Sequence, residues 1–370
     1  MKWRRKQRKN QGNQIFQCNQ CSNSCRHWSL FQHDFIQELD GIGDRFEFKT
    51  NTIPIDGTPE ADQEGGTTIT ARETRFNVDF RSEADGTKLR AFFEADFAGS
   101  GNSFRLRHAY AEAGRVLGGQ TWTTFMDISA RPLTVDFEGP DTELFVRQAM
   151  IRYTHPLSEN LTWAIAVEDP SPQFVVPAGL DGGPRSEVPD VPTYLRFAFG
   201  RGHVQLAAIG RQIRFDGVSG SPNLDEIGWG ASGSFRCKIF GQDEIMGQLA
   251  HGEGIARYVE SLNGQNVDAL ITPAGALETI PVTAAVIGFI HHWSPALKSG
   301  IAYGAADLDT DPLLPAPTIA GTEDARLNLI HSPHPLLEYG VEALWGTREN
   351  QDGASGEAWR AHFAITLHFN

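Results

Sequence analysis

Along residues 359–369, apolar and polar positions alternate without a break. Trp359, Ala361, Phe363, Ile365, Leu367 and Phe369 share one parity, while Arg360, His362, Ala364, Thr366 and His368 share the other. Successive side chains of a strand point to opposite faces, so this stretch predicts a strand with one apolar face and one polar or small face. A tilted strand of about 9–11 residues with aromatic ends is what crosses a bilayer in a closed barrel.

The same pattern recurs from residue 65 onward. Over 68–81, Thr70, Thr74, Phe76, Val78 and Phe80 oppose Glu73, Arg75, Asn77, Asp79 and Arg81. Asp85-Gly86 then predicts a tight hairpin turn. Over 89–97, Leu89, Ala91, Phe93, Ala95 and Phe97 oppose Arg90, Glu94 and Asp96. Residues 104–113 set Arg105 and Arg107 on the face of Ala109 and Ala111. That leaves Phe104, Leu106, His108, Tyr110 and Glu112 as a mixed outer face, which suggests contact with a neighbouring subunit. Further strands are predicted at 116–125, 145–153, 161–168, 193–199, 203–214, 227–236, 244–254, 282–293, 297–304, 325–331 and 337–345. These and 359–369 make fifteen, and the remnant of another near 35–39 brings the total to sixteen, an even number that closes a bacterial barrel. Connectors alternate between short (294–295, 331–335) and long (170–192, 263–281, 307–324), as turns and loops do on the two sides of such a barrel. The predicted fold is therefore all-β, an antiparallel transmembrane β-barrel of about 16 strands over residues 34–370. Residues 1–33 are expected to lie outside it, as a disordered segment or a misassigned start.

Composition narrows the alternatives. The chain is 40% hydrophobic with mean hydropathy −0.32. No run approaches the ~18 apolar residues of a membrane helix, so a membrane-spanning reading requires a barrel. A soluble all-β sandwich also alternates, but it does not usually gather aromatics at strand ends and Arg or Glu on nearly every opposite face. The net charge is −14. Six basic residues and no acid fall in the first ten, leaving −20 on the remainder, which argues against nucleic acid as a partner. After that basic start, residues 11–26 are rich in Gln, Asn, Ser and Cys where a secretory leader would be apolar. Cys18, Cys21 and Cys25 with His27 lack the second paired knuckle of a zinc site and read as an incidental polar segment.

Enzyme signatures are missing. No H-E-x-x-H, P-loop or G-x-S-x-G occurs; Gly230-Ala231-Ser232-Gly233-Ser234 misses by one position. His251-Gly252-Glu253-Gly254 is only half a dinucleotide fingerprint. No catalytic residue, metal or cofactor is expected. The more telling residues are Arg75, Arg90, Arg105, Arg107, Arg152 and Arg196, which fall on polar strand faces. They either pair across strands with Glu73, Glu94, Asp96 and Glu168 or form a basic ladder lining a pore, which favours anions. The irregular, acid-rich stretch 126–143 would fold inward. Its Asp127, Asp136 and Glu138 would then face the ladder and narrow the passage.

Several ordered motifs resemble DcaP-type outer-membrane porins: Thr70-Ala71-Arg72-Glu73-Thr74-Arg75-Phe76-Asn77, Phe104-Arg105-Leu106-Arg107-His108-Ala109-Tyr110 and Gly119-Gln120-Thr121-Trp122-Thr123-Thr124-Phe125-Met126-Asp127. Asp136-Phe137-Glu138-Gly139-Pro140, Gly252-Glu253-Gly254-Ile255-Ala256-Arg257-Tyr258 and Asn328-Leu329-Ile330-His331-Ser332-Pro333 add to the likeness, which runs from about residue 34 to the end. The resemblance implies a sixteen-stranded barrel assembled as a homotrimer in outer-membrane lipid of a Gram-negative cell. It implies passage of small, often anionic solutes, dicarboxylates among them. Arg75, Arg105 and Arg107 would carry over as solute contacts, and the segment after Asp127 as the inward loop. The chain departs from the family in its first strand, in lacking a periplasmic helical arm, and in ending on Asn370 beside Phe369. The functional expectation is a passive diffusion channel. The alternative is a plugged structural or adhesive barrel whose long loops, such as 263–281, do the binding.

Overall fold

The computed structural model describes residues 3–6, 15–18, 24–63 and 65–369, with side chains from residue 29 onward. Among these residues, sixteen long strands follow one another around a closed wall. They are β1 (Ser24–Glu38), β2 (Arg75–Ala84), β3 (Thr87–Asp96), β4 (Arg105–Ala113), β5 (Val116–Trp122), β6 (Arg147–Pro156), β7 (Leu161–Glu168) and β8 (Val191–Phe199). The second half comprises β9 (Gly202–Gly217), β10 (Leu224–Lys238), β11 (Glu244–Glu253), β12 (Pro281–Ser294), β13 (Leu297–Leu308), β14 (Ile319–His334), β15 (Leu337–Asn350) and β16 (Ser355–Phe369). Each pairs antiparallel with the next. β16 closes the ring on β1, from Phe369 opposite Ser29 to Arg360 opposite Glu38. A closed sheet leaves no unpaired edge, the condition for crossing lipid with strands.

The alternation that predicts the strands also sorts their faces. On β16, Trp359 and Phe369 are 45% and 51% exposed on the outside, whereas Arg360 is 1% exposed inside. All hairpins from an even strand to the following odd one are short. In the first, Asp85 (φ 49°) and Gly86 (φ 74°) both take positive φ, as the tightest hairpin turn requires. The opposite connections include the long segments 39–74, 123–146, 169–190 and 254–280. Short turns face the periplasm in barrels of this type.

Several strand ends differ from the sequence reading, and two of the differences change the architecture. The stretch predicted as one strand over 68–81 is broken: Thr67–Thr70 pairs with the far end of β1, a turn intervenes at 71–74, and β2 starts at Arg75. The remnant predicted near 35–39 is the end of fifteen-residue β1, which begins at Ser24, so residues 24–33, expected outside the barrel, belong to its wall. Ahead of it, Trp3–Lys6 and Ile15–Cys18 pair with one another, and the second pairs with the start of β1. The side chains of the Cys18, Cys21, Cys25 and His27 cluster lie outside the described set.

The core sits inside the barrel, between the wall and long connections folded into the lumen. Phe48 and Ile53 pack on Leu344 and Ala358, Val135 packs on Ile330 and Ala364, and Tyr258, Leu262 and Val267 pack on the wall around Ile209, Ala250 and Val282. Burying each such side chain is worth about 1.5–3 kcal/mol, enough to hold a polar-flanked loop against a wall. Glycines make room for it: a Cβ on Gly340 would stand 2.6 Å from Val135, and one on Gly304 would run into Thr142. The filled part of the lumen therefore lies against β9–β16, and the remaining space lies along β2–β7.

Candidate functional site

An irregularity in one strand pair builds the open side. Between β3 and β4 the register shifts: Glu94 faces His108, Ala95 faces Leu106, and Arg107 is the extra residue. A bulge of this kind re-aims side chains. Arg107 and His108, consecutive in sequence, are both buried on the inner side, and Tyr110 and Glu112 follow them inward. Leu106, Ala109 and Ala111 are left outside. The mixed outer face expected over 104–113 thus does not form, because strict alternation fails at one residue.

Arginines gather on this wall. Arg105 donates to Asp96 through Nε (3.0 Å) and Nη2 (2.9 Å). Arg107 donates to Glu94 (3.0 Å) and Asp96 (2.8 Å). Arg90 donates to Asp79 (2.9 Å), and Glu112 lies 3.5 Å away. Arg75 has a looser partner, Glu73 at 3.5 Å, and lies 4.0 Å over the Phe137 ring. The cross-strand pairing expected of these residues is therefore present. It is incomplete at Arg75, and Arg152 has no carboxylate within 4.0 Å among the described residues. Glu168, expected opposite an arginine, instead accepts from Thr123 Oγ1 (2.6 Å) and Thr124 N (2.7 Å) and fixes the start of the inward segment.

A cavity of about 360 Å³ opens at mid-wall, lined by Arg75, Arg107, Arg131, His108, Tyr110 and Trp122. Glu94 is the single acid on its lining and is already held by Arg107. His108 is fixed by Thr121 Oγ1 at 3.1 Å. Arg147 lies 4.6 Å over the opposite partner of its own strand position, Trp122, and also faces Phe145.

The inward segment 123–146 is tied to the wall by its acids. Asp127 accepts from Ser129 N (3.0 Å), Ser234 Oγ (2.8 Å) and Arg196, and meets His203 Nε2 at 2.7 Å. Arg196 also donates to Gln205 (2.9 Å), so this expected ladder residue serves as a fastening for the loop. Asp136 accepts from Phe48 N (3.1 Å) and Glu138 N (3.0 Å) and faces Arg326 at 3.4 Å. Asp127 and Asp136 are each 2% exposed, so they bond to the wall and to another loop instead of bordering the 360 Å³ cavity.

Glu138 belongs to a junction of three loops. Lys49 lies 2.9 Å from Glu47, 3.4 Å from Glu138 and 3.9 Å from Glu260. Burial, then the neighbouring Glu138 charge, holds the Glu260 pKa well above the carboxylate range, so Glu260 keeps the proton that the two carboxyls share. Burial and Glu138 likewise push Glu47 up to about 7. Burial pushes Glu143 to about 7 against the pull of Arg131.

Sequence reasoning missed Arg131, Arg147, His108 and Trp122. Arg147 has the lipid-side parity of β6, but at the strand's first residue it folds over an aromatic ring. The motif around Trp122 was visible without any indication of which way the ring faced.

The family model described as DcaP outer membrane protein matches residues 18–365. Among solved structures, the chain resembles the crystal structure of the outer membrane channel DcaP of Acinetobacter baumannii, at 21% identity and a TM-score of 0.82, covering 94% of this chain and 97% of that one. An anion-selective porin from Comamonas acidovorans matches at 11% identity and a TM-score of 0.60, over 94% and 100% of the two chains. OmpT, an outer membrane protein of Vibrio cholerae, matches at 11% and 0.57, over 94% and 97%. No curated protein matches the chain.

Proposed function

The chain belongs to the DcaP outer membrane protein family, and from that premise we propose that it is a porin of the bacterial outer membrane preferring small anionic solutes of dicarboxylate type. The observation that carries this reading is the 360 Å³ cavity, where Arg75, Arg107 and Arg131 outnumber one acid. Guanidinium groups held in a water-filled constriction attract anions and repel cations. Two guanidiniums on one cavity suit a solute with two carboxylates, each able to accept a forked pair of hydrogen bonds. Arg75 and Arg107 are the proposed solute contacts; Arg105 supports Arg107 through Asp96, and Arg196 positions the loop. Diffusion is passive, and no covalent step is involved. Assembly as a homotrimer is part of the proposal, supported by the trimer form described for the Vibrio cholerae protein.

The test is the reversal potential of the purified protein in a planar bilayer across a potassium chloride gradient. An anion-side potential is expected, and a cation-side potential overturns the preference. The loops packed against β9–β16 favour one competing reading, a plugged barrel. Swelling of proteoliposomes in a small dicarboxylate separates them, because a plugged barrel gives none.

A further inference from the structure

A larger space, about 820 Å³, lies at the short-turn mouth between the β2–β3, β4–β5 and β6–β7 hairpins. Arg81, Lys88, Arg90, Arg115 and Arg152 line it, against Glu83 and Glu112. Asp79, deeper on β2, takes both Arg81 (2.8 Å) and Arg90 (2.9 Å). Arg152 is different. Its cross-strand neighbours are Leu117 and Ala166, which offer no charge. Its Nε is buried with no hydrogen-bond partner. Arg152 is half-buried, and a guanidinium with no acid beside it keeps its demand for an anion. Leu117 and Tyr194 supply an apolar flank. Arg90, 5.0 Å over Phe92 and 5.4 Å over Tyr110, separates this space from the mid-wall cavity, since both rings line the latter.

We propose that this periplasmic mouth is a second, separate binding site, for a compact polyanion such as a tricarboxylate or an oligophosphate, with Arg152 as its central ligand. The mid-wall cavity is less than half as large and holds three arginines beside one acid. At the mouth, cations from three hairpins surround the space, which matches several anionic groups spread over one solute. The orientation toward the periplasm rests on the outer-membrane reading. The binding itself does not require conduction.

The experiment is calorimetric titration of the full-length protein in detergent with citrate and, separately, with inorganic triphosphate. Saturable binding that weakens with added salt is expected. Arg152→Gln should weaken it about tenfold, the loss of one charge-assisted hydrogen bond, while Arg185→Gln, on the exposed long-loop side, leaves it unchanged. Lys88→Gln, at an exposed position, gives a second, smaller loss that does not depend on Arg152→Gln folding normally. Heats that never saturate, or equal affinity in the parent and both mouth variants, overturn the proposal. Citrate binding with no anion-side reversal potential would sink the transport reading and leave the mouth site standing. Anion preference without citrate binding would do the reverse.

Discussion

The two walls of this barrel use the same residue for opposite ends. On β14 and β16, Arg326 and Arg360 are 1% exposed and join wall to loop: Arg326 binds Asp324 of its own strand (2.9 Å) and faces Asp136 of a loop (3.4 Å), and Arg360 meets Glu38 of β1 (3.2 Å) and the Asp44 carbonyl of a loop. There the guanidinium fastens an inward loop, and no space remains beside it. On β2 to β6, arginines pair mostly with acids of adjacent strands, and their free edges border the 360 and 820 Å³ cavities. The difference lies in what stands opposite. A loop that brings apolar side chains and a carboxylate turns an arginine into a rivet. Where no loop arrives, the same arginine faces water and whatever solute water carries.

The largest expected effect is on the riveted wall. Arg326→Met leaves Asp324 and Asp136 buried without their cation, which costs about 3–5 kcal/mol. The urea midpoint of the micelle-bound barrel should fall, and single-channel conductance should rise as the loops loosen. An unchanged midpoint would break the comparison. Next comes Gly340→Val. The added side chain collides with Val135, and overpacking of this kind costs about 1–3 kcal/mol. Gly118→Val, on β5 where a Cβ meets nothing, should stay within about 0.5 kcal/mol in the same assay.

On the open wall the order of effects reverses. Arg75→Gln removes a loosely paired charge and its contact with Phe137, so stability should fall by less than in Arg326→Met. The reversal potential should nonetheless shift measurably toward cations, whereas a fold-breaking loss with no shift would mean that Arg75 is a rivet as well. The most gradual effect is with pH. Glu47 and Glu143 have pKa values raised from 4.5 to about 7, so their folded forms hold protons that the unfolded chain has released. Their stabilising contribution is complete below 4.5 and is lost as pH rises through about 7. Amide protection factors in 123–146, which remove the intrinsic pH dependence of exchange, should therefore fall across that window and level off above it, more than those in β3 or β4.

Much of the wall was legible because period-2 alternation is enforced by lipid on one side and water on the other. That is why 359–369 and 161–168 read cleanly, and why the total of sixteen agrees. Two things escaped. Alternation cannot announce its own failure, so the extra residue at Arg107 put His108 and Tyr110 on the wrong face. Nor can it tell a lumen filled with water from one filled with protein. The acids of 126–143 have partners fixed by tertiary contacts. Asp127 meets residues of β8, β9 and β10, and Asp136 meets β14, both far away in sequence. Arg152 was visible as a polar-face residue. Its distinction is the lack of an acid directly opposite it on either neighbouring strand, and only the register reveals that.

The seam between β16 and β1 joins residues more than three hundred positions apart through ten matched pairs. The ring therefore cannot be sealed until nearly the whole polypeptide is in place. Throughout assembly, two strand edges with unsatisfied amides and carbonyls wait for one another, and each is open to capture by a foreign strand. Substitutions along this seam should then delay maturation and provoke aggregation well before they weaken the finished barrel.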